Sequence, residues 1–152
     1  MAIQGFLKIP GIPGASVRDG HEDEIEFHGI EFGMAAAQAP GGGGVGAARV
    51  GRVTLEPIRV VKHYDVSSPA LKQVLFRGGH VREAVFAMTR TVDGDTSDYL
   101  VVTLTDASVI GYDLRPAPEP DLLEESITFT YRSVSFVYDG THEVELEGRR
   151  AR

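Results

Sequence analysis

Apolar and polar residues alternate along much of this chain, and the alternation predicts strands. Ala2 to Ile9 sets Ile3 and Leu7 on one face and Gln4 and Lys8 on the other, with Gly5 as a weak point. Pro10-Gly11-Ile12-Pro13-Gly14 reads as a turn, and Asp19 to Glu22 as a polar loop. In Glu24-Ile25-Glu26-Phe27-His28, Ile25 and Phe27 face in, while the carboxylates and His28 face out. Ile30 and Phe32 continue the apolar set out of phase, so Gly29 marks a bulge or bend. Val53 to His63 is a further strand, and Pro57 places it at an edge or a bulge. Val81 to Thr91 alternates Val81, Glu83, Val85 and Ala87 against Arg82, Ala84, Phe86 and Met88. Asp93-Gly94 predicts a hairpin to a partner strand from Tyr99 to about Tyr112. After a connector at Pro116 to Pro120, Ile127 to Tyr131 and Val134 to Tyr138 form the last long strand, and residues 140–152 read as a tail.

One stretch leaves the period of two. Leu71, Val74 and Leu75 fall at i, i+3 and i+4, which predicts a short helix with one apolar face. Ser67 and Ser68 are the expected caps, with Ser68 at the N-terminus, Pro69 as the first helical residue and Gly78 as the stop. Six or seven strands with one helix predict a mainly β fold, a small barrel or sandwich with the helix covering one opening. Met34 to Gly51, which contains Gly41, Gly42, Gly43 and Gly44, is too poor in side chains to pack a core. It reads as a long loop of functional or disordered character.

Composition narrows the picture. The 152 residues suit one domain. With no cysteine, disulfides and thiolate metal sites are excluded. A formal charge of −7 argues against nucleic acid as a main partner. No run of about 18 apolar residues exists to span a membrane. The first ten residues lack a basic leader, and Gln4, Gly5, Lys8 and Pro10 interrupt their apolar run. The chain is therefore expected to be made in the cytoplasm without a signal peptide.

Candidate chemistry is sparse. The glycine run is followed by Val45-Gly46-Ala47 and lacks the Gly-Lys-Ser/Thr of a phosphate loop. His21 and His28 lie near Glu22, Asp23 and Glu24, but a strand face of this kind is read as a solvated acidic surface. No metal site is expected. No Gly-x-Ser-x-Gly is present, and His63 and His80 read as boundary residues beside the helix. The expectation is no catalytic residue, no cofactor and no enzyme.

Several blocks, taken in order, resemble the Hcp (hemolysin-coregulated protein) family, the tube protein of type VI secretion systems. Lys8-Ile9-Pro10-Gly11-Ile12-Pro13-Gly14-Ala15-Ser16 is similar to the family's opening, and Asp23-Glu24-Ile25-Glu26 followed by Glu31-Phe32-Gly33-Met34 to its next strand. Where the family has aromatic-Ser-Trp-Gly, this chain has Ile30-Glu31-Phe32-Gly33. The most specific block is Lys62-x-x-Asp65-x-Ser67-Ser68-Pro69-x-Leu71. Gly79-His80, Tyr99-Leu100, Leu104-Thr105-Asp106 and Glu125 to Phe129 also fit. The likeness covers about residues 1–139, leaving 140–152 as the tail.

The resemblance implies a compact β-barrel of two packed sheets with one short helix on its side, a fold shared with phage tail tubes. It implies a secreted structural protein. Homo-hexameric rings stack into a tube, with a spike protein at its tip, a contractile sheath around it and effector proteins in its lumen. It also implies that the long loop contacts neighbouring subunits or rings, which makes Met34, Gly41, Gly42, Gly43, Gly44, Arg49 and Arg52 the expected assembly residues. No cofactor, nucleic acid or membrane insertion belongs to that role. The alternatives are a tail-tube subunit of another contractile particle, a monomeric β-barrel that grips a ligand with its glycine loop, and an enzyme whose site the sequence hides.

Overall fold

The computed structural model describes residues 3–38 and 50–148. In chain order these form β1 (Gln4–Lys8), β2 (Ile25–Phe27), β3 (Gly29–Glu31), β4 (Met34–Gln38), β5 (Val50–Leu55), β6 (Ile58–His63), α1 (Ser68–Phe76), β7 (His80–Val92), β8 (Asp95–Pro116), β9 (Leu123–Tyr138) and β10 (His142–Glu147). Eight strands make one sheet in the order β2-β1-β7-β8-β9-β6-β3, with β10 added beside β9, while β4 and β5 form a separate ribbon. All the pairings are antiparallel. The fold is a β-barrel with a side helix, as expected.

Barrel closure explains the slip at Gly29. β2 pairs with β1 at one end of the sheet, and β3 pairs with β6 at the other. One continuous stretch of chain therefore bridges both ends. His28 sits at the change of partner and donates its N–H to the Val61 carbonyl at 2.9 Å. Ile25 and Phe27 point into the core as the alternation predicts.

The long strands depart from simple alternation in a shared way. In β8 the buried positions are Val102 and Leu104, then Ala107 and Val109. In β7 they run Val81, then Ala84, Phe86 and Met88, and in β9 Ile127 and Phe129, then Val134. The three changes of phase lie side by side, because Thr105 pairs with both Glu83 and Ser133. Asp106 carries the bend in β8 with φ of 50°, a left-handed value that Asp tolerates better than most residues. Such a bend lets the sheet turn a corner and keep its apolar residues inside. The unbroken alternation expected for Val81 to Thr91 is thus corrected.

Other expectations are also revised. Phe6 is buried along with Leu7, because the flat ring of His21 covers it at 4.5 Å. Pro57 ends one strand instead of bending it. β5 belongs to the ribbon, and β6 is an interior strand between β3 and β9. The expected loop at 34–51 has strands at both ends, β4 and β5. Its glycine run lies outside the described residues. The expected tail contains β10, joined to β9 through Asp139 and Gly140, both at positive φ.

The core centres on Phe86, which meets Phe27 and Phe129 edge-on at 5.9 and 5.6 Å. Such contacts add to the area that aromatic rings bury. Leu71 of α1 is fully buried in this core, with Val74 and Leu75 packed against it. The helix ends in a Schellman turn. The Gly79 N–H reaches the Val74 carbonyl and the Gly78 N–H reaches Leu75, with both glycines at positive φ. Gly79 has a second constraint. A Cβ there would stand 2.2 Å from the Val109 carbonyl oxygen, where β8 passes close.

Candidate functional site

The block Lys62 to Leu71 fastens α1 to the barrel through a buried polar knot. Lys62, at the end of β6, is fully buried. Its ammonium donates to the His63 carbonyl (2.9 Å), to Asp65 (3.0 Å) and to the carboxylate of Glu125 on β9. Glu125 is equally buried and also accepts from the Ser68 hydroxyl and the Tyr112 phenol. Ser68 in turn accepts from the Asp65 N–H at 2.9 Å and from Lys62 at 3.3 Å. Asp65 receives the Ser67 N–H at 2.8 Å and the Ser67 hydroxyl. Burial, and then the bond to Glu125, push the Tyr112 phenol well above its ordinary range, so it stays protonated as a donor. Among the described residues no buried side-chain nitrogen or oxygen lacks a partner. The knot therefore joins four elements, β6, β8, β9 and α1, at one point.

This geometry corrects the expected capping. The N-cap is Ser67, in helical conformation and without a side-chain cap bond, and Ser68 is already helical. Both hydroxyls are committed elsewhere, Ser67 to Asp65 and Ser68 to Glu125. Pro69 follows at the second position, where its missing N–H costs nothing.

His28 and His63 meet at 4.6 Å between rings beside an open cleft. Each binds one carboxylate at 2.9 Å, Glu124 for His28 and Glu119 for His63. The His28 bond, aided by the charge of Arg115, holds the Glu124 carboxyl below the usual range. His21 bridges Glu24 (2.9 Å) and Asp98 (2.8 Å), so it is an ion-paired clamp and not part of a solvated face. Among the described residues no three His, Asp or Glu side chains converge to hold a metal. Among them also, no helix is long and apolar enough to cross a membrane.

The β4–β5 ribbon stands off the barrel on a fixed base. Met34 pairs with Leu55, Ala35 with Thr54 and Ala36 with Val53, before a bulge near Gln38. At its base the Glu56 N–H reaches the Gly33 carbonyl at 2.8 Å. Tyr131 on β9 donates its phenol to the Glu56 carbonyl at 2.6 Å. Burial and the nearby Glu56 charge push that phenol up to about 12, so it remains a donor at any physiological pH. Phe32 packs on Phe136 at 4.9 Å. Of the residues expected in assembly, Met34 and Arg52 lie exposed on this ribbon. Gly41, Gly42, Gly43, Gly44 and Arg49 lie outside the described residues. Sequence reading did not find β10, although Asp139-Gly140 before alternating His142 to Glu147 is a usable hairpin signal.

Comparison with known proteins agrees with this geometry. Residues 6–138 match the family model described as type VI secretion system effector, Hcp. Protein hcp1 of Pseudomonas aeruginosa is 27% identical over 138 residues, covering 91% of this chain and 84% of that protein. Among solved structures, one described as a type six secretion system protein superimposes with a TM-score of 0.84 at 21% identity, covering 96% of each chain. Hcp1 from Salmonella typhimurium follows at 0.76 and 24%, covering 95% of this chain and 93% of that one. The match along most of its length places this chain in the Hcp family, whose members are tube components of type VI secretion systems.

Proposed function

We propose that this chain is an inner-tube subunit of a type VI secretion system. Six copies close into a ring, and rings stack into a tube. A contractile sheath expels the tube behind a spike, with effector proteins carried in the lumen. The subunit is made in the cytoplasm and leaves through the machine itself.

The observation that carries this reading is a nearly closed barrel that leaves, among the described residues, a projecting ribbon whose strands pair only with each other and a strand, β10, paired along one side. Unpaired strand edges are hazards in a monomer and become contacts in an assembly. A ring of identical subunits needs two different complementary surfaces per copy, and the closed barrel supplies a rigid frame between them. Such a role requires no reactive side chain, and His21, His28 and His63 are each held by a carboxylate.

Negative-stain images of the purified protein should show rings with an open centre, and stacks at high concentration. A species that stays monomeric by light scattering at every concentration overturns the reading.

A further inference from the structure

The β7–β8 hairpin runs past its neighbours. β1 pairs with β7 only as far as Thr89, and β9 pairs with β8 only from Leu100. Beyond that level, among the described residues, β7 and β8 pair with each other alone, and every residue from Arg90 to Asp98 is exposed. A two-stranded ribbon with no buried apolar face is marginally stable by itself. The ribbon starts at a bulge. Met88 faces Leu100 and Thr89 faces Asp98, so Tyr99 has no partner on β7. Tyr99 is itself fixed, because its carbonyl accepts the Asp139 N–H at 2.8 Å and its ring meets Tyr138 edge-on at 6.5 Å. A fixed residue at the foot of an exposed ribbon is a place to pivot.

Among the described residues, three side-chain bonds tie this ribbon to the rest of the fold. Arg90 donates to Asp139 in the β9–β10 turn at 3.1 Å. From the loop between β1 and β2, His21 reaches Asp98 at 2.8 Å and Arg18 donates to Thr96 at 3.4 Å. We infer that His21 is a pH-operated latch: charged, it holds the β7–β8 ribbon to the β1–β2 loop, and neutral, it releases Asp98 and frees the ribbon to pivot at Tyr99.

Both ring nitrogens of His21 lie against carboxylate oxygens, Glu24 at 2.9 Å and Asp98 at 2.8 Å. Only an imidazolium carries two N–H groups, so only the charged ring satisfies both partners. The ring lies flat on Phe6, with 4.5 Å between centroids and 2° between planes, which fixes its orientation. Glu24 on its own loop and Asp98 on β8 are the charged groups that face it. Phe6 of β1 carries no charge, and Arg18 of the same loop is engaged with Thr96. Burial opposes the charge, and the two carboxylates outweigh it, so the charged form persists above the ordinary 6.5. Once the proton leaves, one nitrogen turns a lone pair toward a carboxylate. Glu24 belongs to a loop braced by its own main-chain bonds, Gly14 to Asp23 and Asp23 to Ser16, both at 2.8 Å, and its side chain is 15% exposed. Asp98 is 38% exposed and sits on the ribbon, so it is the partner that exchanges His21 for water.

The chain has no cysteine, so spin labels can be placed at Asp19→Cys on the loop and Asp95→Cys on the ribbon. The labelled protein is diluted into excess unlabelled protein, so that double electron–electron resonance reads distances within one chain. One narrow distance is expected near about pH 5.5, and a broader, longer distribution by about pH 9, with a midpoint above 6.5. His21→Gln should remove the pH dependence. Asp98→Asn leaves the ring and its stacking in place and takes away one of the charges that favour the imidazolium, so the midpoint should fall. Circular dichroism checks that each variant is folded. A parent distribution that stays narrow to about pH 9 overturns the latch. So does a pH response that survives His21→Gln, or a midpoint that Asp98→Asn does not move.

Discussion

Replacing Lys62 by methionine should be among the most damaging single changes outside the apolar core. The substitution keeps an unbranched chain of similar length and removes the ammonium. It leaves the Glu125 carboxylate fully buried, with only Ser68 and Tyr112 to donate to it. Removing one partner of a buried ion pair costs about 3–5 kcal/mol, since the remaining charge cannot recover its hydration. Total stability for a domain is about 5–15 kcal/mol, so the loss consumes a large share. Glu125→Gln should cost less, about 1–3 kcal/mol, because Lys62 retains Asp65 and the His63 carbonyl. The double variant should lie well short of the sum of the two, with a coupling of about 1–3 kcal/mol. The assay is urea unfolding at neutral pH, followed by circular dichroism at a concentration below assembly. The melting temperature of Lys62→Met should fall by roughly 10 °C or more. A loss below about 1 kcal/mol, with additive effects in the double variant, would refute the argument that this pair fastens α1 to the barrel.

Two further outcomes follow from local geometry. Burial works against a charge on His21, but its bonds to Asp98 and Glu24 outweigh that, so its folded value lies above the ordinary 6.5. Its stabilisation is therefore fully present below 6.5 and fades as pH rises through the raised folded value. The stability gap between the parent and His21→Gln should be widest near about pH 5.5 and narrow toward about pH 9, and a gap constant with pH counts against the clamp. Gly79→Ala should cost at least about 2 kcal/mol in urea unfolding, combining a left-handed backbone with a clash on β8. Gly94→Ala is the control, since its φ of 84° is close to the 79° of Gly79 and its Cβ meets nothing within 4 Å, and an equal loss at both positions removes the clash from the account.

Much of the fold was legible because local patterns carried it. Ile25 and Phe27 alternate with carboxylates, Asp93-Gly94 announces the β7–β8 turn, and Leu71, Val74 and Leu75 mark the helix face. The block from Lys62 to Leu71 was legible as a spacing but not as a knot, because Glu125 stands 63 residues from Lys62 along the chain. Ser68 looked like a cap for the same reason. A short hydroxyl before Pro69 has a good local use, but Ser68 takes Glu125, which only the packed barrel brings near, and Ser67 takes its sequence neighbour Asp65. β10 was misread as tail because a strand that is exposed at nearly every position shows little hydrophobic contrast.

The sequence by itself determined the class of fold, the helix, the β7–β8 hairpin and the family likeness, since these rest on contacts between near neighbours and on short ordered motifs. Only the tertiary structure decided where the sheet closes, where its long strands turn, what Lys62 binds and which edges remain free. Each of those depends on which distant strands become neighbours. The bend at Asp106 shows why. A strand reverses its inward face there only because β7 and β9 reverse theirs at the same level, and that agreement exists only across strands packed side by side.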